Sequence, residues 1–170
     1  ALWASQIAEG AWFIWNELSA SDQELVCRMM VHEADRFLNY KVPYYRDITG
    51  KILSKGDTKA EENAWNSNIL TIATAMMPEH NHYDGWMRKN IELQLSAYAM
   101  PEDVEKTTVI DSVQLNKILK GSNMNSDGTV INHNIMHPDY MSAFMHNAIN
   151  VWIYELAGKK VLQSSLYNGD

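Results

Sequence analysis

Between Gly121 and Tyr140 the chain places four Asn, two His, two Asp and a Tyr within twenty residues. Imidazole, carboxylate, amide and phenol at such short spacing suit proton transfer, metal ligation or hydrogen bonding to a polar ligand. In His133-x-x-x-His137-x-Asp139-Tyr140, His133 or Tyr140 can act as a general base or acid, with Asn132 holding a carbonyl or carboxylate oxygen. The same His and Asp residues could bind a metal, although zinc sites want a further strong ligand in fixed geometry. They could also only order the loop, Asp139 capping a helix and the imidazoles bonding to backbone.

Two further groupings compete for attention. Asn123-x-Asn125-x-Asp127-Gly128 matches the first half of a calcium loop, including the turn glycine at its sixth position. Its twelfth position is Asn134, where that loop needs a bidentate glutamate, so an Asx turn closed by glycine accounts for it better. Calcium at Asn123, Asn125 and Asp127 stays a minor option. Farther back, Glu61-Glu-Asn-Ala-Trp-Asn-Ser-Asn68 opens a helix. Glu62 and Asn66 are four apart and share a face. Acidic residues suit a helix start through the dipole alone. Three Asn are poor helix formers, and amides beside the Trp65 indole are what a sugar-binding groove uses. Trp65, Asn66, Glu62 and His137 are therefore the candidate substrate-binding residues. His32-Glu33-Ala-Asp-Arg36 begins like the zinc-protease motif but has Arg36 where the second His must stand, so that motif is absent.

The composition narrows the classes. A chain of 170 residues, 46% hydrophobic and 21% charged, fits one globular domain. A net charge of −7 with no basic stripe argues against nucleic acid, whose binding rests on phosphate neutralisation. Cys27 in an apolar helical pattern reads as a buried thiol. No signal peptide and no run of transmembrane length is present. The chain opens with Ala directly in helical pattern, as a processed product or an excised fragment of a larger protein would.

The elements that must position these groups read as helices. Residues 2–18 are apolar nearly all round (Trp3, Ile7, Trp12, Ile14, Trp15), which predicts a helix buried on most sides. Ser21-Asp-Gln-Glu24 reads as a capping box for a second helix, with Leu25, Val26, Met29, Met30 and Phe37 on its inner face. After a Tyr-rich loop over 39–57, Asp57 or Thr58 caps a helix with the stripe Trp65, Ile69, Ile72, Ala73 and Met76, ending before Pro78. A fourth helix runs from about Asp84 to Met100, stopped by Pro101. A long polar loop spans 102–138, with room for a short helix at 109–119. Asp139 then caps the last helix, whose stripe is Met141, Met145, Ala148, Ile149, Trp152 and Leu156. With no convincing strand pair, the expected fold is all-α: a single domain of antiparallel helical hairpins over 1–170, with function at one end.

Ala60-Glu-Glu-Asn-Ala-Trp-Asn-Ser-Asn68, Asp127-Gly-Thr-Val-Ile-Asn-His133 and His137-Pro-Asp-Tyr-Met141 carry a resemblance. Over roughly residues 57–157 the chain resembles part of the (α/α)-toroid proteins: heparinase- and alginate-lyase-like polysaccharide lyases and six-hairpin glycosidases. It is similar too to bacterial surface proteins that carry S-layer homology modules. The resemblance implies a groove across one end of a toroid, in which an Asn neutralises a uronate carboxylate and His or Tyr removes the C5 proton. Asn132 or Asn66, His133 and Tyr140 have the matching chemistry. It also implies that this chain is a partial toroid, since a full one needs about twice the length. The expected function is that of a fragment of a secreted or cell-surface bacterial protein acting on polysaccharide, lyase-like. The remainder of its own polypeptide would complete the toroid, and the alternative is a non-catalytic, wall-associated or glycan-binding module.

Overall fold

The structure, a computed structural model, describes residues 1–168 and is mostly helical. The long helices are α1 (Leu2–Phe13), α2 (Ala20–Asp35), α3 (Ala60–Met76), α4 (Tyr83–Ala97) and α7 (Phe144–Leu156); α5 (Leu115–Ile118) and α6 (Pro138–Met141) are single turns. A six-residue connection makes α3 and α4 an antiparallel hairpin, and α3 packs most extensively on α4 and α7.

The hub is α3. Its apolar stripe predicts one buried side, but every residue from Asn66 to Ala75 is buried, as are Asn63 and Ala64. Burying a whole helix buries its polar face too, and an unpaired polar group there costs about 1–3 kcal/mol. The polar face is accordingly paired across the helices. Asn68 Nδ2 donates to Asn150 Oδ1 at 2.9 Å, and Asn150 Nδ2 donates to Ser67 Oγ at 2.7 Å. Asn90 Nδ2 donates to Thr71 Oγ1, and the Thr74 and Tyr154 hydroxyls meet at 2.8 Å. Gln94 donates to Asn90 Oδ1 and accepts from both Ser164 and Ser165.

This network overturns the expected orientation of α7. The buried face is Asn147, Asn150, Ile153 and Tyr154, while Met145, Trp152 and Leu156 of the apolar stripe are exposed, at 63%, 42% and 49%. The polar residues win because α3 and α4 offer them specific partners. Likewise α1 is not buried on most sides: Ser5 and Ala8 face the core, and Trp3 and Ile7 stand 75% and 56% exposed. Phe13 of α1 reaches Trp152 of α7, ring centres 5.6 Å apart, so the two outer faces adjoin.

Helix ends differ from expectation where backbone geometry decides. The first helix stops at Phe13, because Ile14 leaves helical backbone at φ −110° and ψ 23°. Ser19, two residues before the expected cap, caps α2: its hydroxyl accepts from the Asp22 amide at 3.2 Å. Thr58 Oγ1 accepts from the Ala60 amide at the start of α3. Asp139 caps no helix; it lies in the first turn of α6, and α7 begins only at Phe144. The expected helix at 109–119 shrinks to α5, preceded by a hairpin.

Three antiparallel two-residue pairs also correct the expectation of no strands. They are β1 (Arg46–Asp47) with β4 (Gly121–Ser122), β2 (Val109–Ile110) with β3 (Val113–Gln114), and β5 (Ile131–Asn132) with β6 (Ile135–Met136). The two hairpins among them turn on Asp111-Ser112 and His133-Asn134, each pair at positive φ, the backbone of a tight two-residue hairpin turn. Among the described residues no helix is long and apolar enough to cross a membrane.

Candidate functional site

Asn123 locks the polar loop to the helices. Its fully buried side chain accepts from the amides of Tyr45 (2.8 Å) and Lys59 (3.1 Å), and its Nδ2 donates to the Ser96 carbonyl (2.8 Å). The β5–β6 hairpin is then pinned over the start of α3. The Thr58 amide donates to the Ile131 carbonyl and the Asn134 amide to the Gly56 carbonyl. Gly56, at φ +70°, lies so close to the Asn134 side chain that a Cβ there would stand 2.1 Å from its Oδ1. Only glycine lets the hairpin tip settle at this height.

The result is a cleft of about 190 Å³ between the first turn of α3, the hairpin tip and α6. Glu62 and Trp65 line one side; Asn132, His133 and Tyr140 line the other. Five of the seven residues singled out in the sequence therefore converge across some seventy positions of chain. The Tyr140 hydroxyl lies 3.3 Å from His133 Nε2. Asn132 is buried and its Oδ1 accepts from the His133 amide at 2.7 Å, which fixes the turn that presents the imidazole.

The other two residues sit elsewhere. Asn66 is buried and does not line the cleft, and its neighbours Asn63 and Asn68 bond between helices. The three asparagines of this helix start are thus buried among the helices, and none of them lines the cleft. His137 does not line the cleft, but its ring lies against both candidate catalytic groups, with centres 4.7 Å from Tyr140 and 5.5 Å from His133.

Four cleft residues lie outside the sequence selection: Asp57, Thr58, Lys59 and Glu61. Their signal is the polar run over 57–61 at the start of α3, where Asp57 or Thr58 reads as a cap and Glu61 as an acid favoured by the helix dipole. Lys59 Nζ bonds Asp57 at 2.7 Å and lies 3.7 Å from Glu62; the Asp57 hydrogen bond, ahead of the attraction of both carboxylates, raises its pKa. Burial raises the Glu61 carboxyl above its ordinary value, opposed by a hydrogen bond from the Tyr140 hydroxyl. Tyr140 is itself raised, by burial first and then by Glu61, so the phenol is held protonated and is a donor, not a lowered-pKa base. Glu62 accepts from the Tyr40 hydroxyl at 3.0 Å, and burial followed by Glu62 pushes that phenol up to about 12.

The calcium-like segment has other work. Asn123 is consumed as described, Asn125 Oδ1 accepts from Arg46 at 2.8 Å, and Asp127 Oδ1 accepts from the Thr129 amide and hydroxyl in an Asx turn before Gly128. Among the described residues no group of three or more His, Cys, Asp and Glu side chains is placed to hold a metal ion.

Comparison with family models, curated proteins and solved structures finds no match to this chain.

Proposed function

We propose that the cleft at the start of α3 binds a glycan unit and that His133 and Tyr140 move a proton on it, in the manner of a polysaccharide lyase. The observation that supports this is the meeting of an indole, an imidazole and a protonated phenol in one small cleft, with Tyr140 and His133 3.3 Å apart.

In this reading Trp65 provides the stacking face and Asn132 Nδ2, free of the bond that occupies its Oδ1, donates to the substrate carboxylate. Neutral His133 Nε2 takes the C5 proton of a uronate. The C–H electron pair becomes the C4=C5 double bond, the C4–O bond breaks, and Tyr140 gives its proton to the departing oxygen. Return of the proton from His133 to the phenolate, across their direct contact, restores both groups.

Charge sets the substrate. Asp57, Glu61 and Glu62 against Lys59 leave the cleft acidic, which repels a dense polyuronate. A heteropolysaccharide whose uronates are spaced by neutral sugars fits better. The α3–α4 hairpin is what a partial (α/α) toroid would contribute, and the outward apolar faces of α1 and α7 suit packing against further helices. A secreted or cell-surface location belongs to the same proposal.

Tyr140→Phe tests the assigned roles. It removes the proton for the leaving group, so turnover of such a heteropolysaccharide should fall about 10²-fold with substrate binding unchanged. Unaltered turnover would remove Tyr140 from the chemistry. A second reading, glycan binding without cleavage, is favoured by the cleft's small volume, below the roughly 300 Å³ at which ligand pockets usually begin. It predicts saturable binding and no unsaturated product from the unmodified protein.

A further inference from the structure

On the other side of α6 lies a larger pocket, about 560 Å³, between α7, the end of α4 and the C-terminal turn. Tyr140 faces the cleft, while the next residue, Met141, lines this pocket. Its walls are Met124, Met141, Phe144, Ala148 and Val151, and among the described residues no lining side chain carries a charge. Two polar atoms of that lining lack a partner, Asn147 Oδ1 and the Tyr98 hydroxyl, and of these Asn147 Oδ1 can only accept. Asn147 is 2% exposed; its Nδ2 turns inward to the Gln94 carbonyl, and its Oδ1 is buried with no donor. Buried acceptors are rarely left so, because the lost hydration costs about 1–3 kcal/mol.

We infer that this pocket binds a small uncharged molecule with an apolar, flat or branched body and one N–H or O–H donor, which meets Asn147 Oδ1. The volume falls within the range of small-molecule sites. The uncharged lining of described residues favours a neutral ligand, since an ionic one would find no counter-charge in it. The thioethers of Met124 and Met141 can adapt to an aromatic or aliphatic body. Nothing in this site depends on His133 or on glycan chemistry.

Fluorescence titration with N-phenylnaphthylamine, an uncharged apolar fluorophore with one N–H donor, tests it. Saturable one-to-one binding is expected. Ala148→Trp, at an exposed position of α7, should fill the pocket and weaken binding more than about tenfold with the helical circular dichroism intact. Asn147→Leu should weaken it about fivefold, the value of one hydrogen bond. Trp152→Ser, on the outer apolar face, and His133→Asn, in the cleft, should leave it unchanged. Failure to saturate, binding that survives Ala148→Trp, or loss in Trp152→Ser equal to that in Ala148→Trp would each overturn the assignment.

Discussion

His133→Asn is expected to lower glycan cleavage about 10²–10⁴-fold, the usual contribution of a positioned general base, while the protein stays folded. The choice of asparagine matters. His133 is the first residue of a tight turn, at φ 51°, and is exposed. Asparagine adopts that backbone readily, whereas alanine would add strain and blur a catalytic loss with a structural one. The side chain makes one direct polar contact, to Tyr140 across 3.3 Å of exposed surface, so its loss should move the melting temperature little. Single-turnover measurement of unsaturated product, beside thermal unfolding followed by circular dichroism, separates the two effects. Full turnover in a folded variant would remove His133 from the mechanism.

The largest stability effect should come from Asn123→Ala. Three buried backbone groups depend on that side chain: the amides of Tyr45 and Lys59 and the carbonyl of Ser96. At about 1–3 kcal/mol for each unpaired buried group, partly relieved by entering water, the cost is about 3–5 kcal/mol. For a domain of this size that corresponds to a fall in melting temperature of about 10 °C. Because the amide is locked to backbone, neither calcium nor chelator should move the melting temperature of the unmodified protein. Thermal unfolding of the two proteins with and without calcium checks both statements. A calcium-dependent rise in the unmodified protein would restore the cation reading of Asn123, Asn125 and Asp127. A drop of a degree or less in the variant would show that the three partners find other bonds.

The sequence was most legible where chemistry and short-range spacing coincide. His133, Tyr140, Asn132, Trp65 and Glu62 were singled out for what their groups can do, and the fold places all five on one cleft. Helix existence was legible as well, from breakers such as Pro78 and Pro101 and from long apolar periods. Which side of a helix faces inward was not. In α7 the period marks Met145, Ala148 and Trp152 as the inner face, yet Asn147 and Asn150 lie inside. A single helix cannot reveal this, because the partners that make burial of Asn150 favourable, Asn68 and Ser67, stand more than eighty residues earlier on α3. The same distance hid the role of Asn123. Its hydrogen bonds reach 64 and 78 residues back, and only the folded loop shows that its side chain pairs with backbone groups.

The hairpins were missed for a different reason. Two-residue strands give no alternating pattern to read, and the informative signal was the turn. In Ile131-Asn-His-Asn-Ile-Met136, asparagine at the second turn position tolerates the left-handed backbone, and apolar residues flank it. That turn aims His133 into the cleft. Glu61 was passed over because it sits beside Glu62 at a helix start, where acids are favoured in any case. Its bond with Tyr140 appears only when α6 is folded over α3.

The central claim is that one cleft, between Trp65 and His133, receives a glycan unit. The most direct test is a two-dimensional NMR titration with a heteropolysaccharide fragment containing spaced uronates, following the six indole N–H signals and the His133 imidazole. The cleft reading predicts that Trp65 and His133 shift together with one saturation curve and that Trp65→Ala abolishes the His133 shift. If Trp65 and His133 stay in place while Trp3 or Trp152 on the outer face moves, or if no signal moves, the cleft is not a glycan site.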